Sequence, residues 1–340
     1  MMAVLAVDVI IILLATGAIW VGSGWLENAS ERLATYYGLP EVVQGSIVTA
    51  VGSSFPELAT VVVAAITVDS LELGVGAIVG SAVFNILVIP ALAGISTAEE
   101  LEANRALVYK EALFYMLAVS ILVITFSFAV IYNPVDGTAY LAGEVTRPLA
   151  VIPLGMYGLY VFIQYQDTAD HDSDVDKTGI TVGRQWGLLA AGLAVILVAV
   201  ERLVHSVDVI GTSLDVPAFI MGVTIAAAAT SLPDAMVSVR AASEDRGITA
   251  LANVLGSNTF DLLVAIPVGV MLVGSTPINF SMAIPMFGVL TLATIMLFTA
   301  LRTDLALSVV ESYGLLAAYV LFVLWIVLET LDVAVDLLPT

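Results

Sequence analysis

The chain has no cysteine among its 340 residues, only two histidines, and ten lysines and arginines against thirty aspartates and glutamates. Without thiols there are no disulfides, iron–sulfur clusters or thiolate zinc sites, and the redox compartment stays open. The shortage of basic charge, a net −20, argues against nucleic acid and against attraction to anionic lipid, and fits a cationic substrate. Charge of either sign is scarce. It makes up 12% of the residues, against about a quarter in a soluble globule. Hydrophobic residues make up 60% and the mean hydropathy is +1.05. This composition describes a polytopic, all-α membrane protein embedded in a lipid bilayer and excludes a large soluble domain.

Apolar runs predict ten spans, at about 3–24, 41–66, 72–95, 106–131, 148–165, 185–205, 216–240, 248–273, 281–300 and 312–337. The first run lacks a basic leading region and a clear small-residue cleavage site, which predicts a retained span and not a signal peptide. The expected organisation is a first five-helix half (1–165), a linker (166–184) and a second five-helix half (185–340). Asp167, Asp170, Asp172, Asp174 and Asp176 of the linker read as a solvated acidic face, and adaptation to high salt is a second reading of the bulk acid. Arg32, Arg105, Lys110, Lys177, Arg184, Arg240, Arg246 and Arg302 fall on one side of the membrane, Arg147 and Arg202 on the other. The positive-inside rule makes the first side cytoplasmic, with both termini outside and the linker inside.

An internal repeat decides the expected architecture. Segment 45–65 aligns without gaps on 222–242, sharing Gly45/Gly222, Ala50/Ala227, Ser54/Ser231, Pro56/Pro233 and an acid at 57/234. After one residue of slippage the match resumes with Gly80-Ser81 on Gly256-Ser257 and Phe84 on Phe260, so the signature regions are 45–90 and 222–267. Five spans separate equivalent points, an odd number, which predicts two inverted copies with a binding site between them near the bilayer midplane.

Three acids fall inside predicted spans: Glu57, Asp234 and Asp261, with Asn85 at the repeat position of Asp261. A carboxylate at mid-bilayer costs at least ~2.5 kcal/mol and marks a functional candidate. Pro56 and Pro233 lack an N–H, so each breaks its helix and leaves carbonyls, at Gly52 and Ala229, without intrahelical partners. Ser53, Ser54, Thr230 and Ser231 add hydroxyls before the prolines, and Ser81 and Ser257 lie one turn before Asn85 and Asp261. All these donors are oxygens, which suit Na⁺, Ca²⁺, K⁺ or Mg²⁺ and not softer metals. A single Ser-x-Pro in a membrane helix reads most simply as a kink with a back-bonded hydroxyl; a matched, duplicated pair with acids does not.

At these residues, GSSFPEL with GSAVFNIL (52–58, 80–87) and ATSLPDA with GSNTFDLL (229–235, 256–263), the sequence resembles the calcium/cation antiporter superfamily and, within it, the sodium/calcium exchangers. The resemblance implies ten helices in two inverted halves and antiport of about three Na⁺ against one Ca²⁺ by alternating access, with the first helix of each half sliding past the core. It implies no enzyme activity and no cofactor, only transported ions. Carried over by resemblance, Glu57 and Asp234 would be the central carboxylates. Ser53, Ser54, Thr230 and Ser231 would stand around them, the backbone carbonyls of Ala50 and Ala227 would complete the outer sites, and Ser81, Asn85, Ser257 and Asp261 would frame the rest. SLPD with GSNTFD also resembles the potassium-dependent exchangers, in which an acid at the position of Asp261 is tied to K⁺.

A proton/calcium exchanger is disfavoured because Ser53 and Thr230 stand where its family carries Asn. A cation channel and an intramembrane aspartyl protease are the alternatives from other classes. Asp8 reads as an interfacial anchor, His171 and His205 as solvated or capping, Glu201 with Arg202 as a surface pair, and Trp25 and Trp186 as interfacial. Nothing in the sequence points to an obligate protein partner.

Overall fold

The computed structural model describes residues 2–39, 48, 50–97, 100–105, 107–137, 141–168 and 180–330. Linker residues 169–179, with Asp170, His171, Asp172, Asp174, Asp176 and Lys177, lie outside them, as do 41–47 with Gly45 and the last residues of the tenth expected span.

The first helix, α1, runs from Met2 to Tyr37, well beyond the expected end at 24. Leu26, Glu27, Ala29, Glu31, Arg32, Leu33 and Ala34 are good helix formers, and nothing stops the chain until Gly38. Gly38 sits at φ 70, and the N–H groups of Gly38 and Leu39 donate to the carbonyls of Thr35 and Ala34, a left-handed helix stop. Residues 50–67 form α2 (Ala50–Ser53) and α3 (Phe55–Thr67), followed by α4 (Leu71–Ser96). A π-helical turn, Leu107–Glu111, leads into α5 (Ala112–Tyr132), and α6 (Arg147–Thr168) closes the first half.

The second half opens with α7 (Val182–Leu214), also longer than its expected 185–205. It too ends in a left-handed residue, Asp215 at φ 58, with Val216 N–H on the Gly211 carbonyl and Pro217 next. Then come α8 (Ala218–Met221), a π turn (Gly222–Ala226), α9 (Ala227–Thr230), α10 (Leu232–Ser243) and α11 (Gly247–Phe260). A π turn (Asp261–Ala265), α12 (Ile266–Val273), α13 (Phe280–Arg302) and α14 (Val309–Thr330) complete it. The described residues carry eight helices long and apolar enough to cross a bilayer, and a ninth span if the pair Ala218–Thr230 and Leu232–Ser243, bent by 44°, counts as one. Of the expected second span the described part includes α2 and α3.

The all-helical membrane fold is accompanied by a small amount of extended backbone. Two short antiparallel ladders join helix ends: β1 (Leu101–Glu102) with β4 (Ala306–Leu307), and β2 (Ala142–Thr146) with β3 (Ser275–Asn279). Each gives backbone groups between helices a partner, and each is too short for a two-residue alternation to announce it.

Burial separates an inner from an outer set. The most apolar stretches of Leu71–Ser96 and Gly247–Val273 are 83% buried, those of the other long helices no more than 39%. The inner helices meet neighbours backbone to backbone. A Cβ on Gly76 or Gly80 would strike the carbonyls of Phe219 or Val223, and one on Gly222 would strike the Leu73 carbonyl. Outside this core α1 and α7 cross at Gly22 and Gly192, where a Cβ on Gly192 would lie 2.7 Å from the Gly22 carbonyl.

Candidate functional site

The two proline breaks lie where the sequence places them. Pro56 opens α3 just after Ser54 interrupts the chain, and Pro233 opens α10 after the bend at Ser231. A proline in the first turn forfeits no hydrogen bond a helix would have made there, so the break is stable and turns the preceding hydroxyls inward. Glu57 and Asp234 follow in the first turn of each new helix, where the helix dipole favours a negative charge.

Ser53, Ser54, Glu57, Ser81, Asn85, Thr230, Ser231, Asp234, Ser257 and Asp261 are all buried. Hydrogen bonds cross between the halves: Ser231 Oγ donates to Ser81 Oγ at 2.7 Å, and the Ser53 and Ser257 hydroxyls are hydrogen-bonded to each other at 3.2 Å. Asp234 accepts from Asn85 Nδ2 at 3.3 Å and from Ser257 Oγ at 3.4 Å. Glu57 faces both Asp261 and Asp234, and the Ser54 hydroxyl faces Asp261. Among the described residues neither carboxylate oxygen of Glu57, neither of Asp261, nor Asn85 Oδ1 has a hydrogen-bond partner. No lysine or arginine is among the buried described residues. Charge so placed is tolerated only when cations or protons neutralise it.

The acids alone do not make a metal cluster. Among the described residues no three acidic or imidazole side chains are close enough to hold an ion by themselves; the other oxygens beside them are hydroxyl, amide and carbonyl. Thr230 turns its hydroxyl back onto the Ala226 and Ala227 carbonyls, at 3.2 and 3.4 Å, and the Ala227 carbonyl also accepts the Ser231 N–H at 3.0 Å. Here Ala227 is therefore engaged by protein donors. Ala50 begins α2 as Ala227 begins α9.

Two members of the site escaped sequence reasoning. Asn258 accepts from Asn85 Nδ2 at 3.0 Å and donates to the Ala82 carbonyl and to Tyr115 Oη, at 3.1 and 3.3 Å. Its signal was an extra amide beside Ser257 in a buried apolar run, where its repeat counterpart is Ala82. Tyr115 comes from α5, outside both signature regions, and nothing local marked it. Of the lesser candidates, Asp8 is buried, and Glu201 and Arg202 pair at the surface, at 3.1 Å. Trp25 and Trp186 are exposed, and so is His205.

Comparison with known proteins agrees with this arrangement. The family model described as sodium/calcium exchanger protein matches residues 7–166 and 184–328. An uncharacterized membrane protein of Methanocaldococcus jannaschii is 30% identical over 266 residues, covering 78% of this chain and 82% of its own. Human sodium/potassium/calcium exchanger 5 is 44% identical over a local stretch of 61 residues, 18% of this chain and 12% of its own. Among solved structures, the sodium-calcium exchanger NCX_Mj soaked with Na⁺ and Sr²⁺ superposes with a TM-score of 0.65 at 26% identity, over 94% of this chain and 98% of that one. The same exchanger soaked with Na⁺ and no Ca²⁺ gives 0.63 at 25%. A buried oxygen site between two broken helices, on a fold shared with an exchanger and matched along most of its length by one family model, identifies the chain as a membrane antiporter of the sodium/calcium exchanger family, within the calcium/cation antiporter superfamily.

Proposed function

We propose that this chain exchanges Na⁺ for Ca²⁺ by alternating access, about three Na⁺ for each Ca²⁺, and expels Ca²⁺ from the cell down the sodium gradient. The observation that carries the reading is the set of buried carboxylate oxygens on Glu57 and Asp261 that have no hydrogen-bond partner among the described residues, beside Asp234 and among hydroxyls at two helix breaks. Ca²⁺ favours six to eight oxygens in flexible geometry, and several Na⁺ can neutralise the same carboxylates. Loads that compete for the same oxygens are coupled, because an empty site would carry uncompensated charge across the membrane. In this reading Glu57 and Asp234 hold the divalent ion. Ser53, Ser54, Thr230, Ser231, Ser81, Ser257 and Asn85 orient or complete the shell, with the Ala50 and Ala227 carbonyls joining as the helices shift.

In this reading the chain has ten spans in two inverted copies, lies in the plasma membrane with termini outside and linker inside, and the symmetric pairing of the two ladders supports the two-copy part. The strand that follows the inner helix in each half pairs with the strand that precedes the last helix of the other half. The matched helices α1 and α7 suit the sliding pair. Asp261, with the local likeness to sodium/potassium/calcium exchangers, favours K⁺ co-transport as a second reading.

The test is ⁴⁵Ca²⁺ uptake into Na⁺-loaded proteoliposomes with Na⁺, K⁺ or choline outside, for the wild type and Glu57→Gln. Exchange predicts uptake that needs internal Na⁺, collapses when external Na⁺ matches it and vanishes in the variant. Stimulation by K⁺ selects the potassium-dependent form. Uptake indifferent to sodium but driven by a pH gradient would move the assignment to H⁺/Ca²⁺ antiport, and flux without any counter-ion would make it a channel.

A further inference from the structure

The polar lining of the central cluster does not stop at Asp234 and Ser257. One turn further along α10, Ser238 is fully buried, and one turn earlier along α11, Asn253 is 5% exposed. Asn253 Nδ2 donates to Ser238 Oγ at 3.3 Å, and among the described residues its Oδ1 has no partner. Glu27 of α1 faces Asp234 and Arg240, and its Cα lies 3.7 Å from where a Cβ on Gly52 would stand. Ser23, one turn before Glu27 on the same helix face and 2% exposed, has a hydroxyl that is likewise without a partner among the described residues. These four side chains lead from Asp234 toward the end of the molecule that carries Arg240 and Arg246.

Among the described residues, the positions repeat-equivalent to these four carry no polar side chain. The spans Leu5–Tyr37 and Val182–Leu214 have equal length and superpose at the offset that sets Glu57 on Asp234. At that offset Ser23 falls on Val200, Glu27 on Val204 and Ser238 on Val61, and with the later one-residue slippage Asn253 falls on Ala77. All four counterparts are fully buried, and Ala77, Val200 and Val204 belong to one apolar cluster with Leu26, Leu73 and Ile196. Valine and alanine side chains offer a cation no oxygen, whereas an amide oxygen, two hydroxyls and a carboxylate can replace part of its hydration shell.

We infer that Ser23, Glu27, Ser238 and Asn253 form a one-sided station for the transported cation, Na⁺ or Ca²⁺, between Asp234 and the Arg240 end. The inference rests on the exchange reading for the identity of the ion. The absence of cysteine makes a clean test possible in the full chain. Single cysteines at Ser238, Asn253, Val61 and Ala77 are exposed in proteoliposomes to a membrane-impermeant cationic methanethiosulfonate. Ser238→Cys and Asn253→Cys are expected to react from one side at least about tenfold faster than Val61→Cys and Ala77→Cys, and millimolar Ca²⁺ to slow them. Equal rates at all four positions in folded, monodisperse variants would overturn the station. Glu27→Gln should raise the Ca²⁺ KM on that side about tenfold and leave the opposite side unchanged, with Glu27→Asp recovering most of the loss; equal shifts on both sides would also overturn it. If the wild type shows no sodium-dependent uptake while the labelling pattern and its Ca²⁺ protection hold, the exchange reading fails and the station stands.

Discussion

The two halves of the molecule share a backbone device and differ in charge. Each breaks a helix at a proline preceded by two hydroxyls and followed by an acid, and each sets a Gly-Ser helix against it. Yet Asn85 stands opposite Asp261, Ala82 opposite Asn258, and Val61 with Ala77 opposite Ser238 with Asn253. The difference teaches that the proline breaks are geometric requirements, met twice, whereas ionic character is set half by half. Two similar scaffolds suit an equilibrium between two shapes of comparable energy; the unequal side chains decide what each shape binds.

The sharpest way to break the comparison is to remove the charge both halves keep. Glu57→Gln should abolish Ca²⁺ uptake, a loss of more than about a hundredfold, since even an outer partner of a metal ligand costs about 10–100-fold. The same change should leave thermal stability equal or higher, because a buried carboxylate without a partner is traded for a neutral amide. Paired ⁴⁵Ca²⁺ flux and melting curves in ion-free buffer check both halves of that statement; a fall in both would mean that Glu57 serves the fold.

Next in size is the charge the halves do not share. Asp261→Asn places an amide at both repeat positions, as Asn85 already does at one, and should remove any K⁺ stimulation while keeping Na⁺-driven Ca²⁺ uptake within about tenfold. Asn85→Asp should do more harm, because Asn85 Nδ2 donates both to Asp234 and to Asn258 and a carboxylate would turn two donors into repulsion. Flux with and without K⁺ separates the two outcomes.

The shared geometry can be tested through glycine. A methyl on Gly80 would collide with the Val223 backbone, whereas nothing lies within 4 Å of one on Gly24. Gly80→Ala should cost about 1–3 kcal/mol and lower the Tm by several degrees, while Gly24→Ala should be neutral or stabilising by up to about 1 kcal/mol through helix propensity. Melting both variants in detergent decides whether close approach of α4 to the Gly222–Ala226 turn holds the halves together.

Much of the site was legible because inserting polar groups in lipid is costly, so each acid or amide in an apolar run stood out, and duplication then paired them. Hydrogen bonds join Asp234 to Asn85 and Ser257, and Ser231 to Ser81. Contributions from elsewhere were not legible: Tyr115 arrives from α5, and Glu27 looked like a residue beyond the end of its span, since hydropathy falls at 25 while the helix runs on to Tyr37. The ladders escaped for a different reason, because pairing between Ala142–Thr146 and Ser275–Asn279 is a tertiary contact between segments far apart in sequence.

The smallest effect is expected where an acid has what the central ones lack. Glu244, at the exposed end of α10, accepts from Arg246 Nη2 at 2.5 Å and from Arg240 Nε at 3.1 Å, and these bonds, Arg246 first, hold its carboxyl below the usual carboxylate range. A lowered folded-state pKa means that any stabilisation is present above the unfolded value and is lost as pH falls through the folded one. Full exposure to solvent keeps that contribution slight and sensitive to salt. Arg246→Gln should therefore let Glu244 titrate closer to an ordinary glutamate, followed by carboxylate ¹³C NMR of selectively labelled protein, and should leave both the Tm and the exchange rate unchanged. An altered exchange rate would mean that this exposed pair is coupled to the buried acids, and that the charge difference between the halves reaches the surface.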